Sequence, residues 1–316
     1  MNTPSPAGFG LTLLAVVFWG AQLPIAKAAL VDIDGYTMTL VRYGVAALGL
    51  TAILAWREGF SRLSAEGHGA RVFAAGVIGM AGSALLVFVG LGFTRSEVAV
   101  IIISLQPTMT AIAEWVVRGT RPARFTIACL VLAFFGVAMV VTRGGAGLGE
   151  LLRTSPAELG GDALVFAGAA AWVAYTLLVG RLQGWSPLRI SALTCSAALV
   201  GIVVVWLIAL ALGAAPAPRL EPFVTHGWRL AYLAVLGVLA AMFLWNAGLR
   251  RIGALNAMLL LNLMPVVTFA FRAIEGATFV PAELAGAAMV VGALVSNNLY
   301  LRWAARRVRR VGADAV

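Results

Sequence analysis

The chain has 316 residues, of which 61% are hydrophobic and only 11% charged, with a mean hydropathy of +0.96. An ordinary soluble domain carries about 25% charged and about 45–50% apolar residues, so a soluble fold of this length would have to set much of its apolar surface against water. A soluble enzyme, a nucleic-acid-binding domain and a disordered chain are excluded. The net charge of +10 comes from 23 basic residues, all arginine except Lys27, against 13 acids. The arginines sit mainly in short stretches between apolar runs, the pattern of a polytopic membrane protein and not of a nucleic-acid binder.

A spanning helix needs ~20 mostly apolar residues. Ten such runs follow in chain order, at about 8–30, 36–56, 71–92, 96–117, 123–142, 162–180, 188–212, 227–249, 252–274 and 281–303. Only the connections 143–161 and 213–226 are long, and their glycines and prolines mark them as exposed loops. The N-terminus lacks a basic stretch and a small-residue cleavage site, so the first run is expected to stay as a helix. Cys129 and Cys195 lie inside apolar runs, and His68 and His226 lie in polar loops. No disulfide framework, metal site or cofactor is expected.

Counting Arg and Lys on alternate sides gives fifteen against seven, with Arg42 inside the second run. The arginine-rich side is the expected cytoplasmic side of an inner (plasma) membrane, with both termini there. The basic tail 304–316 reads as an amphipathic extension held by anionic headgroups.

An internal repeat is the most informative feature. Shifted by 158 residues, 71–110 falls on 229–268 with ten identities in forty positions, including Gly79/Gly237, Gly90-Leu91/Gly248-Leu249 and Pro107/Pro265. A shift of 153 sets Trp19-Gly-Ala on Trp172-Val-Ala. Two repeats follow, 8–142 and 162–303, joined by an external loop 143–161. Five helices each is an odd number, so the second copy enters the membrane from the opposite face. The expected fold is all-α, with ten transmembrane helices in two inverted five-helix repeats. That architecture suits alternating access around a site near the midplane.

The stretches FWGAQLPIAKAAL and LVRYGVAAL resemble the opening of the drug/metabolite transporter superfamily, in its ten-helix EamA branch. The matching positions are Trp19, Gly20, Lys27 and Arg42, and the paired Pro107 and Pro265 resemble the family's prolines in helices 4 and 9. The family's Gly-Glu pair after the proline is replaced here by Gly119-Thr120 and, in the second half, by Thr278. The resemblance implies a transporter, and most nearly the branch that exports aromatic and other amino acids.

Polar residues at membrane depth are costly and are functional candidates by default. Trp19 with Gln22 and Trp172 with Tyr175 are each three apart, so each pair shares a helix face. A cavity where the first run meets the sixth would be walled by these four, with Ser83, Gln106, Trp245, Asn246 and Asn262 as further substrate-binding candidates. Packing and interhelical hydrogen bonding are the rival roles. Pro107 and Pro265 each free a carbonyl, of Ile103 and Leu261, and are hinge candidates. Glu114 and Arg118 read as a helical ion pair near the arginine-rich end. Arg42 is expected to pair with Asp32 or Asp34 or, alternatively, to meet an anionic substrate group at the outer mouth. The small residues Ala75, Gly79, Ser83 and Ala288, Gly292, Ser296 read as packing stripes.

No HExxH, GxSxG, paired aspartates or P-loop is present, so neither a membrane-embedded enzyme nor ATP hydrolysis finds its residues. No channel filter is present either. The expected function is secondary transport or facilitated export of amino acids or related zwitterions by a monomer in the bilayer. A multidrug, nucleoside or sugar carrier is the alternative, and a membrane enzyme a remote one.

Overall fold

The computed structural model describes residues 6–119, 123–141, 155–179, 182, 184–252, 260, 261 and 263–313, and every regular element among them is helical. In chain order they are α1 (Pro6–Ala29), α2 (Gly35–Glu58), α3 (Gly69–Phe93), α4 (Ser96–Ile103), α5 (Gln106–Arg118), α6 (Arg124–Val141), α7 (Pro156–Val179), α8 (Pro187–Ala211), α9 (Leu220–Thr225), α10 (Gly227–Ile252), α11 (Met264–Ile274) and α12 (Pro281–Ala313), with a one-turn 3₁₀ helix at Phe60–Leu63. Six of them, α1, α2, α3, α7, α8 and α10, are long and apolar enough to cross a membrane. Leu48, Ile78, Phe135, Val204 and Leu207 are exposed, a surface that lipid tails would cover. The protein is an all-α polytopic membrane protein.

Local chemistry sets the helix ends. Asp34 caps α2, its Oδ1 accepting from the backbone N–H of Tyr36 and Thr37 at 3.0 and 2.9 Å. Ser186 caps α8, accepting from the Arg189 N–H at 3.0 Å, with Pro187 in the first turn. Ser155 and Glu158 form a capping box, the Glu158 N–H donating to the Ser155 hydroxyl at 3.1 Å. For that reason α7 starts at Pro156, inside the stretch 143–161 expected to be loop. A short helix, α9, likewise interrupts the expected loop 213–226.

The fourth run is not one helix. It breaks at Ser104 and Leu105, with Gln106 opening α5 and Pro107 in its first turn. The ninth turns at Leu263 before Met264 opens α11, again with proline in the first turn. A first-turn proline loses no intrahelical donor, so both prolines start helices instead of kinking them. The residue that does interrupt a helix is Pro24. It cannot bond the Gly20 carbonyl, which accepts from the Thr268 hydroxyl at 2.6 Å and so ties α1 to α11.

Two other irregularities also match between the halves. α3 and α10 each widen into π-helix, over Ala75–Ala81 and Tyr232–Ala240. The shift of 158 lays the first segment on 233–239, inside the second.

The halves interlock. α1 packs on α10 and α11, and in the same way α7 packs on α3 and α4; α2 pairs with α8, and α6 with α12. Glycines set these approaches: a Cβ on Gly90 would lie 2.7 Å from the Gly161 carbonyl oxygen, and one on Gly136 2.7 Å from that of Gly286. Ala75, Gly79 and Ser83 are buried as expected. Ala288, Gly292 and Ser296 are exposed instead, because Gly286 and Val290 carry the α12 face that meets α6.

Candidate functional site

A cavity of about 90 Å³ lies among α1, α2, α3, α4, α5, α7, α10 and α11, room for several waters or a small solute. Trp19, Gln22, Ser83, Gln106 and Trp172 line it. α1 does not pack its backbone on α7, as the sequence suggested; the two tryptophans reach toward each other across the space, edge to face at 6.0 Å and 79°. Trp245 tilts against Trp19 at 5.3 Å, and Tyr175 lies against Trp172 at 4.8 Å. These are geometries in which aromatic rings attract.

Three of the remaining candidates do not line the cavity: Trp245, which backs Trp19, and Asn246 and Tyr175. The Asn246 amide donates to the Ser191 hydroxyl at 2.6 Å and to the Met242 carbonyl at 3.0 Å, joining α10 to α8 outside the cavity. Tyr175 is buried behind Trp172, its hydroxyl 3.4 Å from that of Thr194. Asn262, the side chains of Pro107, Glu114 and Arg118, and residues 142–154 of the connecting loop lie outside what is described.

The main correction concerns Arg42. Asp32 pairs with His226 at 2.7 Å and Asp34 caps α2, so neither is available to it. Arg42 is 2% exposed and lines the cavity, about 10 Å along α2 from its first residue. Its Nη2 donates to Gln22 Oε1 at 2.8 Å, its Nε to the Leu233 carbonyl at 3.4 Å, and its guanidinium lies 3.8 Å from the Phe88 ring centre. Its Nη1 is buried with no hydrogen-bond partner among the described residues. The cavity therefore holds a fixed positive charge, supplied by a residue expected at the outer mouth or paired with an aspartate. The clue was present as the one basic residue inside an apolar run away from its ends.

The π segment of α10 supplies part of this wall. The Leu233 carbonyl takes the Arg42 bond, and the Gly237 carbonyl accepts from Trp19 Nε1 at 3.0 Å. A π segment shifts carbonyls off the usual ladder and recurs at functional sites; no residue pattern announced it. Gly237 leaves the room: a Cβ there would stand 3.0 Å from Gln22 Oε1.

Ion pairs join the halves at both ends. On the arginine-poor side, Arg95 bonds Glu283, and Arg272 Nε donates to Glu97 at 2.9 Å. On the arginine-rich side, Arg189 meets Glu66 at 2.9 and 3.0 Å.

The family model described as the EamA-like transporter family matches the chain twice, over residues 6–142 and 159–299. The chain belongs to the EamA-like transporter family. It is 28% identical over 295 residues to the uncharacterized transporter YrdR of Bacillus subtilis (strain 168), covering 92% of this chain and 90% of that one. It is 27% identical over 286 residues to the uncharacterized transporter YyaM of the same organism, covering 90% and 91%. A crystal structure 18% identical in sequence shares the fold, with a TM-score of 0.66 over 95% of this chain and 98% of that one. In this EamA-like transporter the cavity lies where elements of the two matched halves meet, α1 to α5 from the first, α7, α10 and α11 from the second.

Proposed function

We propose that the protein lets amino acids or related small zwitterionic metabolites leave the cell across the inner membrane, down their gradient and without ATP. The observation that carries this is the cavity at the meeting of the two halves, walled by Trp19 and Trp172 and edged by Gln22, Ser83 and Gln106. Aromatic faces suit an apolar side chain, and amides and hydroxyls suit polar ends. A site at the repeat interface suits alternating access, and the breaks before Pro107 and Pro265 are where rocking would bend the chain.

Among the described residues the lining carries no carboxylate to carry a coupling proton. Purified protein in liposomes should take up labelled amino acids with saturation and without an imposed pH gradient, and Glu114→Gln should leave uptake unchanged. A strict need for a pH gradient, lost in that variant, would make Glu114 a coupling site. The arginine-rich side is the proposed cytoplasmic face, with both termini there. In a chain lacking Cys129 and Cys195, a cysteine at Ser155 should react with an impermeant label from outside and one at Ser64 should not. Reaction of both from one side would end the ten-helix topology.

A further inference from the structure

We infer that Arg42 holds the carboxylate of the transported solute, so that a carboxylate on a small apolar body is required and an ammonium group is not. This deepens the transport reading above and rests on it for the place of the site. Arg42 is 2% exposed, lines the cavity, and has Nη1 buried without a partner among the described residues. Three contacts fix its plane: Gln22 Oε1, the Leu233 carbonyl and the Phe88 ring. A guanidinium offers five donors in a rigid fork matched to a carboxylate, and a buried charge left unpaired is strongly unfavourable.

Arg189 shows how this fold treats a structural arginine. Equally buried at 2% exposure, it grips Glu66 with two nitrogens, bonds the Ser64 carbonyl at 2.6 Å and stacks on Trp185; its Nε, like Nη1 of Arg42, is buried without a partner among the described residues, so the difference between the two lies in the acid. Arg42 has the stacking ring and the carbonyl but no acid among the described residues. The missing partner is supplied by the ligand, as a bidentate carboxylate. Nothing in the lining offers an anion to an ammonium group, whereas Trp19 and Trp172 offer faces to an apolar or aromatic body.

Three probes with one aromatic body separate the charges: L-phenylalanine, 3-phenylpropionate and phenethylamine. Titrated into the purified full chain while tryptophan fluorescence is followed, both acids should bind, and the amine should bind roughly tenfold more weakly or worse. R42Q should lose binding of both acids by a similar factor, and R42K, which keeps the charge without the fork, should lose part of it. The wild-type series stands even if the variants fail to fold. Equal binding of amine and acids, no binding of either acid, or unchanged acid affinity in R42Q would overturn the assignment. So would displacement of phenylalanine by chloride alone at matched concentration, which would mark a plain anion site. Acids that bind through Arg42 while labelled phenylalanine fails to enter liposomes would sink the transport reading and leave the carboxylate site standing. Uptake undiminished in R42Q would do the reverse.

Discussion

In the first half of the molecule the π segment Ala75–Ala81 serves close packing. A Cβ on Gly76 would lie 2.6 Å from the Thr194 carbonyl oxygen of α8, and one on Gly79 2.7 Å from the Cα of Tyr175 in α7. Its counterpart Tyr232–Ala240 faces the cavity, with carbonyls committed to Trp19 and Arg42 and Gly237 leaving space beside Gln22. The tryptophans differ in the same sense. Trp19 is buried and bonded to Gly237, whereas Trp172 is half-buried and held by Tyr175. A sequence repeat thus carries over backbone geometry, while each half's neighbours decide its use.

The largest effect that could break this comparison is on transport. Trp19→Ala removes a cavity wall and also strips the Gly237 carbonyl of its donor. Uptake into liposomes is expected to fall roughly tenfold or more. Trp172→Ala removes only a wall and should cost less. If initial rates, normalised to folded protein, are normal in both, the tryptophans are packing residues and the cavity is not the path.

The glycine pair comes next. Gly79→Ala would press its new Cβ on the Tyr175 backbone, so α3 and α7 must part, at a cost of about 1–3 kcal/mol. Gly237→Ala meets a side-chain oxygen that can move, and should lower transport more than thermal stability. Equal losses of Tm in the two variants would show that the π segments are used alike.

The smallest effect is at the helix ends. The hydrogen bond from Arg189 holds the Glu66 carboxyl below its usual range. A depressed folded value contributes stability that is present above the unfolded value of about 4.3 and is lost as pH falls through the folded one. Wild type should therefore unfold at a slightly higher temperature than Glu66→Gln at pH 7, with the gap closing below about pH 4. A gap that persists in acid would show that the side chain's packing matters and its charge does not.

The membrane class, the approximate position of the apolar runs and the kinship of the halves were legible in the residues alone. Each follows from local composition: a bilayer demands long apolar stretches, and paired prolines and glycines survive as a sequence shift. That Trp19, Gln22, Ser83, Gln106 and Trp172 line one cavity was legible too, because polar or aromatic residues in the middle of a span are few. Asn246, nearer the end of its run, was a candidate on its polarity alone, and its amide is bonded to Ser191, 55 positions away in sequence.

What only the tertiary structure decided is which long-range partner each polar group meets. Arg42 stands in an apolar run near two aspartates, and local reading pairs them. The fold gives Asp32 to His226 and Asp34 to the start of α2, and leaves the guanidinium facing the cavity. The π segments and the breaks before the two prolines were hidden for a related reason. In α10 the displaced carbonyls of Leu233 and Gly237 are taken up by Arg42 and Trp19, which come from the other half of the chain.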